Sequence, residues 1–222
     1  MRRTLIILLS LLLLLTLAAC GGKKEQQQAE PPTGDAQALL ASAQSALNAG
    51  NYEQAVNDFQ ASIAAQPSLD AYFGLGNAYN QMGRYADAQQ AYEQALKINP
   101  NHTATLSNLG VAYYQQGQLD KARESFEKAL AIDSNDAATH YLLGATFMQM
   151  SRLDEAEREF QAALKLQPDL PEAHYGMAVL YQQRGQIDRA IAELETFLSG
   201  PPAQDPRARS EAQKLLDQLK SQ

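Results

Sequence analysis

Only one cysteine, Cys20, and three histidines, His102, His140 and His174, occur in the chain. A single cysteine excludes an intrachain disulfide. His140 and His174 stand 34 residues apart, but no cysteine or suitably placed carboxylate joins them into a metal site. There is no Ser-His-Asp arrangement in a plausible site, and Gly74-Leu75-Gly76 falls inside a helical pattern rather than after a strand, so it is no phosphate loop. No catalysis, cofactor, metal or small-molecule substrate is therefore expected. Positive charge is scarce as well. Eighteen Lys and Arg face 25 Asp and Glu, a formal charge of −7. The basic residues alternate with acids, as in Glu124 with Lys128 and Asp154 with Arg158, which are i,i+4 pairs on a solvated helix face. Nucleic acid draws on clustered Lys and Arg and is not an expected partner.

No apolar run is long enough to span a bilayer comfortably, which takes about 20 residues. The longest, residues 5–19, is broken only by Ser10 and Thr16 and follows Arg2 and Arg3. It ends in Leu17-Ala18-Ala19-Cys20, which resembles the bacterial lipobox. That resemblance implies a lipoprotein signal peptide over residues 1–19 and acylation of Cys20, palmitate included. Two or more acyl chains give stable attachment where one holds only marginally. With Gly21 rather than Asp after the cysteine, the sorting rule of many two-membraned bacteria implies the outer membrane, facing the periplasm; in a one-membraned host the anchor is the outer face of the plasma membrane. Once residues 1–19 are removed, sixteen basic and 25 acidic residues remain, a charge of −9. Residues 20–35 read as the lipidated cysteine and a Gly-, Gln- and Pro-containing linker that has nothing to build a core from. The fourteen residues from Gly21 to Gly34 span about 20 Å as a flexible chain.

From residue 36 onward one unit recurs. Leu109, Gly110, Tyr113, Gly117, Ala122, Phe126 and Ala129 return upstream as Leu75, Gly76, Tyr79, Gly83, Ala88, Tyr92 and Ala95, and downstream as Leu143, Gly144, Phe147, Ser151, Ala156, Phe160 and Ala163. A fifth copy carries Met177, Ala178, Tyr181, Gly185, Ala190 and Leu194, and the first and loosest carries Ala43, Ala46, Gly50, Ala55 and Phe59. The turn residues Gly50, Gly83, Gly117, Ser151 and Gly185 are 33, 34, 34 and 34 apart. Within each unit, apolar residues at i, i+3, i+4 and i+7 mark one buried helical stripe. This pattern resembles the tetratricopeptide repeat.

The resemblance implies an all-α solenoid, a right-handed superhelix of helix-turn-helix units, with five repeats over residues 36–204. Glycines inside helices cost about 1 kcal/mol against alanine, so close approach of helix backbones is expected at Gly76, Gly110 and Gly144, with Ala88, Ala122 and Ala156 as the small partners and Tyr92, Phe126 and Phe160 filling the space beside them. The turn glycines supply a left-handed conformation, which makes Ser151 the most strained of the five turns. Residues 205–222 read as a capping helix, with Asp205 at the N-cap, Pro206 next, and a stripe of Ala208, Ala212, Leu215, Leu216 and Leu219. The slot of His140 and His174, held elsewhere by Leu39, Tyr72 and Leu106, reads as a packing slot.

In this family the first helices line a concave wall along which peptides or partner helices lie. Carried onto this chain, the groove positions give Phe73, Asn77, Asn80, Asn108, Tyr114, Tyr141, Met148, Tyr175 and Gln182. Phe73, Tyr114 and Tyr175 are assigned to the groove, whereas Tyr141 is open between groove and packing. The wall lacks Lys and Arg, so it is missing the basic half of the carboxylate clamp found in chaperone-docking members. The expected role is a membrane-tethered, non-catalytic scaffold that binds a protein or peptide partner. Alternatives are a pilotin-like lipoprotein of type IV pilus secretin assembly, or a regulatory subunit of an envelope enzyme or transporter.

Overall fold

The computed structural model describes residues 35–201 and 207–221; Cys20, the linker, Asp205 and Pro206 lie outside the described residues. Among the described residues all regular structure is helical. Helix α1 (Ala36–Asn48) pairs with α2 (Tyr52–Ala65), α3 (Leu69–Gln81) with α4 (Tyr85–Ile98), α5 (Thr103–Gln115) with α6 (Leu119–Ile132), α7 (Ala137–Gln149) with α8 (Leu153–Leu166), and α9 (Pro171–Gln183) with α10 (Ile187–Ser199). Helix α11 (Ala208–Lys220) follows and packs on α10. This is the all-α tetratricopeptide solenoid that the period predicts.

The five turns are built alike. Each first helix ends with a left-handed residue, Gly50, Gly83, Gly117, Ser151 or Gly185, at φ of 77, 71, 71, 60 and 70°. The amide that follows donates back to the carbonyl five residues earlier, as in Asn51 to Ala46, Arg84 to Tyr79 and Arg152 to Phe147, each at 2.9 Å. These bonds satisfy carbonyls that a helix end otherwise leaves without a partner. Among the described residues Ser151 is the one non-glycine residue with positive φ, as its place in the pattern implies. At the other end of the first helices, Asp35, Ser68, His102 and Asp136 accept backbone N–H bonds as N-caps. Pro171 opens α9 instead.

The expected rings pack at the interior glycines, and they rather than a facing backbone fill the space: a Cβ on Gly76 would lie 2.4 Å from the Tyr92 ring, on Gly110 2.6 Å from Phe126, and on Gly144 2.7 Å from Phe160. The ring from the second helix lies against the bare Cα, and burying an aromatic ring there offsets what glycine costs the helix. Phe160 is also pressed against Gly176 of the next repeat, and Phe59 against Gly74. The same rings therefore close the helix pair and the joint between repeats. In the fifth repeat the smaller Leu194 takes the ring slot and Ala178 replaces the glycine.

Consecutive first helices touch, α1 with α3, α3 with α5, α5 with α7 and α7 with α9, while each second helix packs on the first helix that follows it. First helices therefore form the inner wall. At the C-terminal end α11 begins at Ala208 with Arg207 at its N-cap position and no side-chain cap bond; Asp205, the expected cap, lies outside the described residues. Its start follows its packing. Ala212, Leu216 and Leu219 are buried and Ala208 and Leu215 half-buried against the core, as the stripe predicts. Arg209 is turned back onto the end of α10, where it donates to the carbonyls of Leu198 and, at 3.2 Å, Gly200.

Candidate functional site

Two cavities open on the first-helix wall. The first, of about 500 Å³, lies across α1, α3 and α5 and is lined by Gln44, Leu47, Asn48, Tyr52, Asn77, Asn80, Gln81 and Asn108. Its amides are held in place from behind. Asn77 Oδ1 accepts from the Tyr92 hydroxyl and from Asn108 Nδ2, both at 2.8 Å. Tyr92 is fully buried, and burial pushes its phenol up. Because both bonds use the Asn77 carbonyl oxygen, the Asn77 amide N–H groups are left pointing elsewhere. Asn80 Oδ1 is buried without a hydrogen-bond partner in the protein. A buried acceptor left in this state costs about 1–3 kcal/mol, and here it belongs to a cavity wall.

The second cavity, of about 380 Å³, lies across α5, α7 and α9. Tyr114, Tyr141, Ala145, Met148, Gln149, Phe160, Glu172, Tyr175, Gly176, Val179 and Gln183 line it. Gln149 Nε2 donates to the Tyr114 hydroxyl at 2.8 Å, so amide and phenol bridge two repeats along the rim. Tyr141 stacks on Phe160 with ring centroids 6.0 Å apart and also lines the cavity, so it serves both packing and the wall. Tyr175 likewise leans on Phe197 at 5.5 Å. Burial raises the pKa of Tyr114 and Tyr175 above the ordinary phenol value.

Seven of the nine groove positions taken from the pattern line one cavity or the other. Phe73 does not: it packs edge-on against the His102 ring at 5.3 Å and against Tyr92 at 6.2 Å. The N-cap histidine of the next first helix packs on it, and Phe73 is half-buried. Gln182 is half-buried on α9, while the neighbouring Gln183 lines the cavity. Asn48, Gln81, Gln149 and Gln183 share one repeat position with Gln115. That recurrence of amides at steps of 33 and 34 is a sequence signal for the rim of the wall.

His140 and His174 do more than pack. His140 Nδ1 meets Glu159 Oε2 at 2.7 Å and its Nε2 meets the Ser134 carbonyl at 3.3 Å; His174 does the same with Glu193 at 2.7 Å and the Pro168 carbonyl at 2.9 Å. Each ties its helix pair to the loop before it. Where the slot holds Tyr72 or Leu106, the facing position holds Ala91 or Ser125 instead of Glu. Among the described residues no cluster of His, Cys, Asp and Glu is placed to hold a metal.

Basic residues are committed away from the wall. Arg84, Lys121, Arg152 and Arg189 sit over the rings of Tyr79, Tyr113, Phe147 and Tyr181, 3.8 to 5.3 Å from the centroids. Asp154 pairs not with Arg158 but with Arg184 of the next repeat, which also holds Glu157. Burial alone would raise the Glu157 carboxyl, but bonds from Arg184 and Tyr181 and the charges of Arg184 and Arg189 hold it below the usual carboxylate range. Arg123 pairs with Glu127 at 2.7 Å, and Glu124 and Lys128 form no ion pair. Neither cavity is lined by a Lys or Arg.

The repeated pattern and the wall have clear counterparts among known proteins. Family models of the tetratricopeptide repeat match residues 37–68, 67–135, 115–164 and 147–219. Similar solved structures include Pseudomonas aeruginosa pilF, with TM-score 0.69 and 21% identity over 83% of this chain and 88% of that one. MamA has TM-score 0.67 and 18% identity over 73% and 90%. YrrB, described as a TPR protein with an unusual peptide-binding site, has TM-score 0.64 and 23% identity over 81% and 92%. At such identities the likeness is one of fold. Superkiller protein 3 of Schizosaccharomyces pombe (strain 972 / ATCC 24843) is 38% identical over 56 residues, 25% of this chain, and the chain spans only 4% of that protein's length. Matched from residue 37 to 219 by models of one repeat, with the helix pairs, turns and first-helix wall in the same register, the chain belongs to the tetratricopeptide repeat family.

Proposed function

We propose that this chain is a membrane-tethered, non-catalytic scaffold that holds a segment of a partner protein along its first-helix wall. The observation that carries the reading is the amide-lined cavity across α1, α3 and α5, where Gln44, Asn48, Asn77, Asn80, Gln81 and Asn108 converge. Asn77, set by Tyr92 and Asn108, adds donors from the same wall. YrrB, which shares the fold, is described as having a peptide-binding site. The lipobox-like end at Cys20 supports attachment to the bacterial envelope, and Gly21 after it favours the outer membrane.

Two variants of the full chain test this. Asn80→Leu removes an unsatisfied buried acceptor, so thermal stability should stay equal or rise by up to about 1 kcal/mol. Partner recovered by affinity capture from the host envelope should nevertheless fall at least tenfold against wild type, with Arg158→Ala on the outer face as control. Undiminished capture by Asn80→Leu sinks the groove reading. For the anchor, Cys20→Ser should leave the protein unprocessed or released; normal processing with detergent-sensitive membrane fractionation would overturn it.

A further inference from the structure

The last residue of every first helix is an amide. Asn48, Gln81, Gln115, Gln149 and Gln183 stand at steps of 33, 34, 34 and 34, and all five are exposed. Since α1, α3, α5, α7 and α9 touch in succession, and touching helices have axes about 8–10 Å apart, the amides form a ladder along the wall with rungs at about that step. Donors are available on it. Asn48 meets Gln44 through its oxygen, at 3.1 Å, and so keeps its amide protons for another partner. The Tyr114 hydroxyl accepts from Gln149, and a hydroxyl that accepts still has its own proton to give.

Three backbone forms can be laid against that step. A strand presents the same face every two residues, about 6.6–6.8 Å, and is out of register by the second rung. A helix has already bonded its N–H and C=O groups internally, so the ladder would find only side chains. A polyproline II chain turns once in three residues of about 3.1 Å each, about 9.3 Å in all, and makes no internal hydrogen bonds; every third carbonyl then faces a rung. The lining between the rungs agrees. Tyr114, Tyr141 and Tyr175 bring rings to the second cavity beside Met148 and Val179, and aromatic-lined grooves take proline-rich segments. Neither cavity is lined by Lys or Arg, and Glu172, the one charged residue of the second lining, is already engaged within the protein. A charge on the occupant would be desolvated there without compensation.

We infer that the wall holds an uncharged, proline-rich segment of the partner protein in the polyproline II conformation, with its carbonyls on the amide ladder and its proline rings against the tyrosines. The inference rests on the groove being the binding surface. Proline suits the wall in a second respect. It has no backbone N–H, so such a segment presents acceptors almost without donors, and amide and phenol protons match it.

The test uses fluorescently labelled oligoprolines of three, six, nine and twelve residues, measured by anisotropy against the full chain. Affinity should climb about three- to tenfold for each three prolines added, one rung at a time. A Gly-Ser peptide as long as the longest oligoproline must first be ordered, and should bind at least about tenfold more weakly. Gln115→Ala, Gln149→Ala and Gln183→Ala combined should remove the climb; these side chains are exposed, and a melting curve matching wild type confirms folding. Tyr114→Phe keeps the ring and loses the hydroxyl, and should weaken the longest peptide about threefold. Arg158→Ala on the outer face should change nothing. Oligoproline that fails to bind at millimolar concentration, affinity that ignores length, a climb that survives the triple variant, or equal binding of the Gly-Ser peptide or of an alanine-rich helical peptide overturns the assignment. The groove reading is judged separately by partner capture with Asn80→Leu: it stands if capture still falls in that variant, and fails if capture is undiminished.

Discussion

A single residue carries most of the backbone strain among the described residues. Ser151 sits at φ 60° where the four equivalent turns have glycine. An L-residue there brings its Cβ against a carbonyl oxygen, costing about 1–2 kcal/mol, while glycine loses about 0.4–1 kcal/mol more chain entropy on folding. Ser151→Gly should therefore stabilise the protein by about 0.5–1 kcal/mol. The check is the urea midpoint, which should rise with no change in the slope of unfolding free energy against urea. Other glycines answer to a different demand: those at 76, 110 and 144 exist because an aromatic ring occupies the place of their side chain.

At the scale of helices, each pair is a unit that cannot bury its own faces. Rings such as Phe160, gripped between Gly144 and Gly176, make the joint between units as close as the joint within them. Such arrays draw stability from nearest neighbours and need a polar-backed end. Helix α11 provides it with Ala212, Leu216 and Leu219 buried, Lys220 paired to Glu195 at 2.7 Å, and Arg209 on the α10 carbonyls. Deleting residues 205–222 should accelerate amide hydrogen exchange in α9 and α10 well beyond that in α5 and α6. Equal exchange in the two pairs would count against the capping role.

For the whole molecule, tyrosines link stability to pH. Burial first, then the bond and charge of Glu93, raise Tyr113 to about 12, and burial with the bond and charge of Glu157 does the same for Tyr181. Tyr141 is also near 12, and Tyr92 is pushed up further. Unfolded tyrosines ionise near 10. Below pH 10 both states keep these protons and the stabilisation is complete. Between about 10 and 12 the unfolded chain releases protons that the folded one retains, so stability falls as pH rises. Tyrosinate absorbance should accordingly rise together with loss of helical circular dichroism over that window. Ionisation complete while the helices persist would overturn the linkage.

Period and residue type settled the helix pairs, the five turns and the end cap, because those depend on neighbours three to five residues apart along the chain. The left-handed turn at Ser151 and the stripe of α11 needed no tertiary information. What lies across from a residue did. Phe73 and Tyr141 occupy the same position in their repeats, yet His102 packs on the first while the second opens onto a cavity. Asp154 reaches Arg184 across the repeat joint rather than Arg158 one turn away; the Arg184 side chain is largely buried at that joint, whereas Arg158 is exposed. Asn80 reads in sequence as one more groove amide; only the packed stack buries its oxygen and leaves it without a donor. Local spacing sets which way a helix face points, but desolvation and pairing depend on the adjacent repeats, whose side chains differ at every step.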